Sequence, residues 1–482
     1  MPKPEHFSTL PEDRISILQK SAYAVGMFVN NLQAAALPNM MVILNLGLGM
    51  NPINVGIIGF APRIIDAVSD PMMGFISDHT RTRWGRRRPY IFSGAILAGT
   101  LFAAMWQLPA GHSESFYFWT FMVASILFFL AYTVYATPFV AFGFEMTPDY
   151  HERTRLQAFA NTLGQLPWLG VPWFLSIMES GLFESKVHGA RILALWVGGA
   201  ICVLGVVPAI FCKETLVSQP DVKDAAKKTG GIQEFLANIA EFFRGIGTTF
   251  KCRPFVKLCS ATFLVFNGFQ LGASFSVYVL IYYVFVGNDK EAFTLVGWFG
   301  TLTALCTLLV IPLTAWISTK IGKKRTFLTT ISLSLVGYAL KWFGYDPVHP
   351  YWLLASCPFV AFGTGSLFTL MGSMVADVCD YDELETNQRR EGVFGAIYWW
   401  MVKVGMALAL LLAGVMLNVS GFDVELTTAQ SEKTLLLLRI FDVGVPLLTS
   451  AIAIWIISTY EITEARAHEI RQLLEQRRGK PN

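Results

Sequence analysis

The chain has 482 residues, of which 54% are hydrophobic and only 15% charged. Soluble domains carry about a quarter charged residues, so this composition excludes an ordinary soluble protein and points to a polytopic membrane protein. The net charge of +3 says little as a total; no nucleic-acid partner is expected.

Taken in chain order, the N-terminal stretch MPKPEHFSTLPEDRISILQK is polar and lacks the short apolar core and small-residue cleavage site of a signal peptide. Apolar runs long enough to cross a ~30 Å hydrocarbon layer then fall near 21–44, 54–77, 89–107, 116–142, 157–176 and 191–212, and again near 256–286, 294–316, 326–343, 351–376, 392–417 and 435–459. That pattern predicts an all-α membrane protein with twelve transmembrane helices in two six-helix bundles. The expected domains are residues 1–212, a connector at 213–255, residues 256–460 and a tail at 461–482. In the connector, Ile232, Phe235, Leu236, Ile239, Phe242, Phe243 and Ile246 recur at helical spacing, which predicts an amphipathic helix on the inner membrane surface. The tail predicts a short polar helix.

Charge placement orients the chain. With both termini and the even-numbered loops on one side, 29 of the 37 Lys and Arg lie there. Lys186, Arg191, Lys290 and Lys433 lie on the other side, and Arg63, Lys341, Lys403 and Arg439 lie within spans. The basic side is expected to be cytoplasmic, with both termini inside an inner or cytoplasmic membrane. The halves echo each other: Ile76-Ser77-Asp78 leads to Gly85-Arg86-Arg87-Arg88, and Ile317-Ser318-Thr319 leads to Gly322-Lys323-Lys324-Arg325. Parallel six-helix repeats of this kind are the pattern of the major facilitator architecture.

The chemistry concentrates in the second span. Arg63, Asp66 and Asp70 are spaced i, i+3 and i+7, so a helix puts them on one face. A charged side chain at membrane depth costs roughly 2.5–3.5 kcal/mol. Two carboxylates a turn apart repel unless something positive stands between them: a monovalent cation, a proton or Arg63. A structural Arg63–Asp66 ion pair explains one carboxylate and leaves the second. The seven cysteines include no CxxC pair, so neither a zinc site nor a disulfide framework is indicated. No P-loop or nucleophile elbow is visible; no cofactor and no enzyme activity are expected.

Asp66-Ala-Val-Ser-Asp70-Pro71-x-x-Gly74, followed by Asp78-x-Thr-Arg-Thr-Arg-Trp-Gly-Arg-Arg-Arg-Pro89, resembles the signature of the glycoside–pentoside–hexuronide:cation symporters, the melibiose permease family. Ala136-Thr-Pro-Phe, Glu145-Met-Thr-Pro-Asp149 with Glu152-Arg153, and Asp377 through Asp380-Tyr-Asp382-Glu383 to Arg389-Arg-Glu-Gly392 and Lys403 agree with it. The resemblance spans nearly the whole chain. It implies that Asp66 and Asp70 bind the coupling cation, that Thr133 belongs to the same site and that Lys403 lies near it. Ser69 stands where melibiose permease has an asparagine, which leaves Na⁺ against H⁺ open. Two carboxylates and a hydroxyl suit Na⁺ or Li⁺.

The sugar site departs from the family. Where melibiose permease holds its galactoside with two acids and an arginine, this chain has Asn31, Ala136 and Asn161. A galactoside bound in the permease's manner is therefore not expected. An anionic sugar, such as a hexuronide or a sulfonated sugar, paired with Arg63 or Lys403, and a neutral glycoside held by amides both remain open. Pocket candidates are Tyr23, Asn30, Asn31, Asn161, Gln165, Asn267, Gln270, Trp399 and Trp400. Amides bond sugar hydroxyls and aromatic faces pack on the ring, although such residues also serve packing and interhelical bonding. Asp78, Arg86, Arg87, Arg88, Glu145, Arg153, Asp377, Asp380, Arg389 and Arg390 are expected to latch helix ends between the two six-helix bundles in one access state. The expected function is import of a glycoside with Na⁺ or H⁺, both binding near the midplane between two rocking bundles, by a monomer among membrane lipids. A cation-coupled carrier of a lysolipid and a non-transporting solute sensor are the rivals.

Overall fold

The computed structural model describes residues 14–109, 111–147, 150–213, 247, 249–387, 390–426 and 429–477. Twelve helical segments coincide with the expected spans. They are α1 (Ile17–Leu46), α2 (Pro52–His79), α3 (Arg88–Met105), α4 (Glu114–Glu145), α5 (Tyr150–Gly164, continued by Leu166–Gly170, Val171–Trp173 and Phe174–Met178) and α6 (Lys186–Gly205 with Val207–Phe211). Then come α7 (Arg253–Val279 with a π turn at Leu280–Val284), α8 (Asp289–Ile321), α9 (Lys323–Gly344), α10 (Cys357–Thr386), α11 (Glu391–Val419) and α12 (Glu432–Arg439, a π turn at Ile440–Gly444, and Val445–Ser458). A polar helix α13 (Glu464–Arg477) follows, as the tail predicts. The connector helix expected at 232–246 lies outside the described residues.

Among the described residues, nine segments are long and apolar enough to cross a membrane. The other three carry reasons in their sequences. Arg63, Asp66 and Asp70 interrupt α2, Pro167 and Pro172 break α5, and α9 opens on Lys323-Lys324-Arg325 and carries Lys341. Each internal proline withholds a backbone N–H from the ladder. Helix starts are set by side-chain oxygens: Ser113, Ser185, Asn288 and Ser431 accept from the N–H of Phe116, His188, Glu291 and Thr434. Gly322, at φ +82°, makes the corner between α8 and α9, where a β-carbon is disfavoured.

By contact the chain forms two compact units. The first takes in the described residues up to Ile43, Ile65–Val171 and those from Leu182 to 213; the second takes in Leu44–Ile64, Pro172–Gly181 and the rest. The boundary therefore cuts α2 itself. In the first unit α3 lies backbone to backbone with its neighbours. A β-carbon on Gly94 would sit 2.6 Å from the Tyr135 nitrogen of α4, and one on Gly99 would sit 2.5 Å from the Gly198 carbonyl of α6. Small residues are how membrane helices gain dispersion contacts when lipid offers no hydrophobic drive. In the second unit a core of Phe255, Phe327, Met371 and Phe394 joins α7, α9, α10 and α11. The first half of α2 packs there because Gly56 and Gly59 let Leu410 of α11 close in.

Two buried charge clusters fix helices in these units. In the second, Lys341 Nζ lies 2.7 Å from Asp442 Oδ1, Ser276 donates to the same oxygen at 2.8 Å, and Tyr345 donates to Oδ2 at 2.6 Å. Asp442 is 0% exposed. Pro446, four residues on, has no N–H to offer the Asp442 carbonyl, which accounts for the π turn there. Lys341→Met or Asp442→Leu alone is expected to lower stability by about 3–5 kcal/mol, whereas the double variant returns close to wild type; thermal unfolding of the detergent-purified protein reads the difference.

In the first unit, Glu152 at the start of α5, ahead of the apolar run, is 1% exposed. It accepts from Lys20 at 2.6 Å, from the Ile15 N–H at 3.1 Å and from Arg155 at 3.2 Å. Burial works to raise its pKa, but these donors outweigh it and hold the carboxyl below its ordinary 4.5. The folded state thus gives up this proton more readily than the unfolded one, so the contribution is complete above about pH 4.5 and falls as pH drops through the lower folded value. Comparing thermal unfolding of wild type and Glu152→Gln from pH 7 to 3.5 should show a gap that narrows only at the acid end.

Candidate functional site

The first unit brings the α2 carboxylates against α4, and the contact is built as two rungs one helical turn apart. In the upper rung Thr133 Oγ1 donates to Asp66 Oδ1 at 2.8 Å. Ser69 Oγ stands 3.0 Å from Thr133 Oγ1 and 3.1 Å from the Asp66 carbonyl. Asp66 is 0% exposed and Thr133 2%. In the lower rung Thr137 Oγ1 donates to Asp70 Oδ1 at 2.9 Å, and both residues are half-buried. The ladder forms because both helices present polar groups at i, i+4: Asp66 and Asp70 on α2, Thr133 and Thr137 on α4. Asp66, Asp70, Ser69 and Thr133 are therefore brought together as expected. Thr137 was not among the expected site residues, and its one signal is its spacing from Thr133.

Chemically the rungs gather hard oxygens, carboxylate and hydroxyl, of the kind that suits Na⁺ or Li⁺ and equally permits protonation of a carboxylate. Arg63 and Lys403 belong to the second unit. Arg63 is buried and Lys403 half-buried, and both are engaged by neighbouring groups.

The expected sugar-contacting residues divide between the units. In the first, Tyr23 is fully enclosed, stacked 4.7 Å from Phe139, and a β-carbon on Gly143 would collide with its ring; it packs α1 against α4. Asn31 faces Gly164, whose missing side chain admits its amide. Asn30 and Gln165 are half-buried and Asn161 is exposed. In the second, Asn267 Nδ2 donates to the Phe263 carbonyl at 2.7 Å, beside Gly405 of α11. Gln270 and Trp400 are half-buried, while Trp399 is 57% exposed and lies parallel to Phe368.

Of the expected gate charges, Asp78, Arg86, Arg87, Glu145, Asp377 and Arg390 form ion pairs within their own unit. Arg86 and Arg87 share Glu145 at the end of α4, and Arg87 also reaches Asp78 at 2.6 Å. Arg88 serves α6, donating to the Ala209 and Ile210 carbonyls at 2.6 and 3.2 Å, and Arg153 donates to the Thr147 carbonyl at 3.2 Å. Basic groups at helix C-termini satisfy orphan carbonyls. In the second unit Lys323 holds Asp377 at 2.7 Å, and Arg390 grips Asp382 with two bonds of 2.9 and 2.6 Å. Asp380 is half-buried and engaged, and Arg389 lies outside the described residues. Lys323 and Asp382 complete this set without having been expected in it.

Comparison with known proteins bears on the chain as a whole. The chain is 23% identical over 485 residues to the isoprimeverose transporter of Lactiplantibacillus pentosus, covering 100% of this chain and 96% of that one. It is 26% identical over 424 residues to the glucuronide carrier protein homolog of Escherichia coli, covering 85% and 84%. In fold it is similar to a solved bacterial homologue of the human lysosomal transporter Spinster, with a TM-score of 0.64 at 13% identity over 92% of this chain and 96% of that one. The family profile described as MFS/sugar transport protein matches residues 22–464, nearly the whole chain; with its helices and α2 motif, this protein belongs to that family of membrane transporters.

Proposed function

We propose that the protein is a secondary active symporter that imports a glycoside together with Na⁺ or H⁺, as a monomer in the cytoplasmic membrane with both termini inside. The observation that carries this reading is the pair of α2 carboxylates, each bonded to an α4 hydroxyl at 2.8–2.9 Å. Stability alone gives no reason to place two acids a turn apart in an apolar helix, where each costs roughly 2.5–3.5 kcal/mol. A positive passenger gives one. The positive-inside distribution of Lys and Arg supports the orientation, and the arginine–acid pairs around Glu145 and Asp382 suit helix-end latches that open and close during transport.

For the sugar, Asn31, Ala136 and Asn161 remove the charges that melibiose permease uses. A site without those acids admits an anionic sugar, and the similarity to a glucuronide carrier homologue supports that cargo class. The isoprimeverose transporter supports neutral glycosides. Asn267, Gln270 and Trp400 are the second unit's polar and aromatic candidates.

Symport requires that each ligand strengthen binding of the other by the same factor, typically 5- to 150-fold. Proteoliposomes loaded by a Na⁺ gradient at fixed pH, or by a pH gradient without Na⁺, and offered isoprimeverose and a glucuronide, test both cargo and ion. Asp66→Asn and Asp70→Asn are each expected to abolish concentrative uptake while membrane insertion persists. Wild-type accumulation in both variants would remove the carboxylates from the coupling site.

A further inference from the structure

The lower rung carries a residue that the family motifs leave unassigned. Thr137 bonds Asp70 at 2.9 Å as Thr133 bonds Asp66 at 2.8 Å, yet only Thr133 is implied by the resemblance. We propose that Thr137 is a ligand of the coupling cation, the hydroxyl that serves Asp70, and that the site it completes is built for an alkali cation. This inference rests on the symport reading and on the carboxylate pair as its cation site.

Three observations support it. The hydroxyl is already aimed: the Thr137 methyl faces Gly74 of α2, where a β-carbon would lie 3.8 Å away, while the oxygen faces Asp70. A threonine on a helix divides between two χ1 rotamers; here the methyl against Gly74 and the bond to Asp70 mark the one in use, and the oxygen keeps its place as the O–H rotor turns. The hydrogen leaves the carboxylate and a lone pair meets the ion. Second, the rungs repeat: each carboxylate has one threonine, in the same helix register, at nearly the same distance. Third, the donor type discriminates. A proton needs one carboxylate oxygen, whereas Na⁺ or Li⁺ needs several hard oxygens around it, and Thr137 adds one to those of Asp66, Asp70, Ser69 and Thr133. Asp70 and Thr137 are moreover each followed by a proline, Pro71 and Pro138. Neither proline gives an N–H to the carbonyl four residues back, so the lower rung lies where both helix ladders are interrupted.

The test is binding of radiolabelled Na⁺ to the purified full-length protein, with no sugar present, and displacement by Li⁺. Thr137→Val removes the oxygen at nearly constant shape, and Thr137→Cys replaces it with a soft donor. Both are expected to weaken Na⁺ binding roughly ten- to hundredfold, the cost of losing one bond to a charged partner, while Thr137→Ser restores it. A purely structural threonine would not separate Ser from Cys in this way. Should the valine variant fail to purify, the Ser–Cys comparison decides. Equal Na⁺ affinity in all three variants, with Asp70→Asn unable to bind, overturns the role of Thr137 alone. Wild-type Na⁺ binding by Asp70→Asn overturns the site itself, and absence of Na⁺ binding by the wild type overturns the alkali-cation assignment.

Discussion

Two like charges one helical turn apart within an apolar helix set the terms for the rest of this protein. The β-carbons of an i, i+4 pair are about 5–6 Å apart, and at an effective dielectric of about 20 that separation costs about 3 kcal/mol of repulsion. Hydrogen bonds to charged acceptors return about 1.5–3 kcal/mol each, so the hydroxyls of Thr133 and Thr137 roughly offset the repulsion. They do not meet the expense of withdrawing two carboxylates from water, roughly 2.5–3.5 kcal/mol apiece. In the symport proposed above, positive charge supplies the remainder. The hydroxyls keep the acids in place.

That balance depends on α2 and α4 being held at hydrogen-bonding distance along more than one turn. Small residues do this in the first unit. Gly94 and Gly99 bring α3 onto the backbones of α4 and α6, and Gly143 receives the Tyr23 ring of α1. With α4 clasped in this way, Thr133 and Thr137 meet the acids at 2.8 and 2.9 Å. The Arg86–Glu145–Arg87–Asp78 cluster ties the far ends of the same two helices. The register of the ladder is thus fixed from both the packed face and the helix end.

Much of this was legible in the sequence, and unevenly. Helix positions followed from apolar runs, and Asp66 and Asp70 were visible because a carboxylate in such a run is costly enough to require a reason. Thr133 came through the family motif. Thr137 stayed hidden because threonines are common in membrane helices and usually bond their own backbone; only the pairing of α2 with α4, a tertiary fact, distinguishes it. Asp442 carries the same costly-carboxylate signal, in the run 435–459, and was passed over because it stands alone rather than paired. Lys341 could be seen as a lone cation within a span, but its partner lies about a hundred residues away on α12, and no local spacing connects them. The roles of Arg88 and Arg153 were also beyond sequence reading, since helix-end carbonyls and carboxylates draw the same side chain. The grouping of Leu44–Ile64 with the second unit arises from glycine contacts between α2 and α11, which hydropathy does not register.

Each unit buries carboxylates among donors of its own, and the donors differ in kind. Asp442 is matched by a lysine tethered to α9, with a serine and a tyrosine filling its remaining lone pairs. Every one of these partners belongs to the chain, and together they tie α7, α9 and α12 to one another. Asp66 and Asp70 each accept from a threonine hydroxyl, a group that donates to a carboxylate or, with a turn of one bond, offers a lone pair to a cation. Replacing a hydroxyl donor by an ion changes little in geometry and much in charge. In the proposed symport this is the property the pair would need: it must be tolerable when empty and clearly preferred when filled, and the difference between those two states would be the free energy that couples ion to sugar.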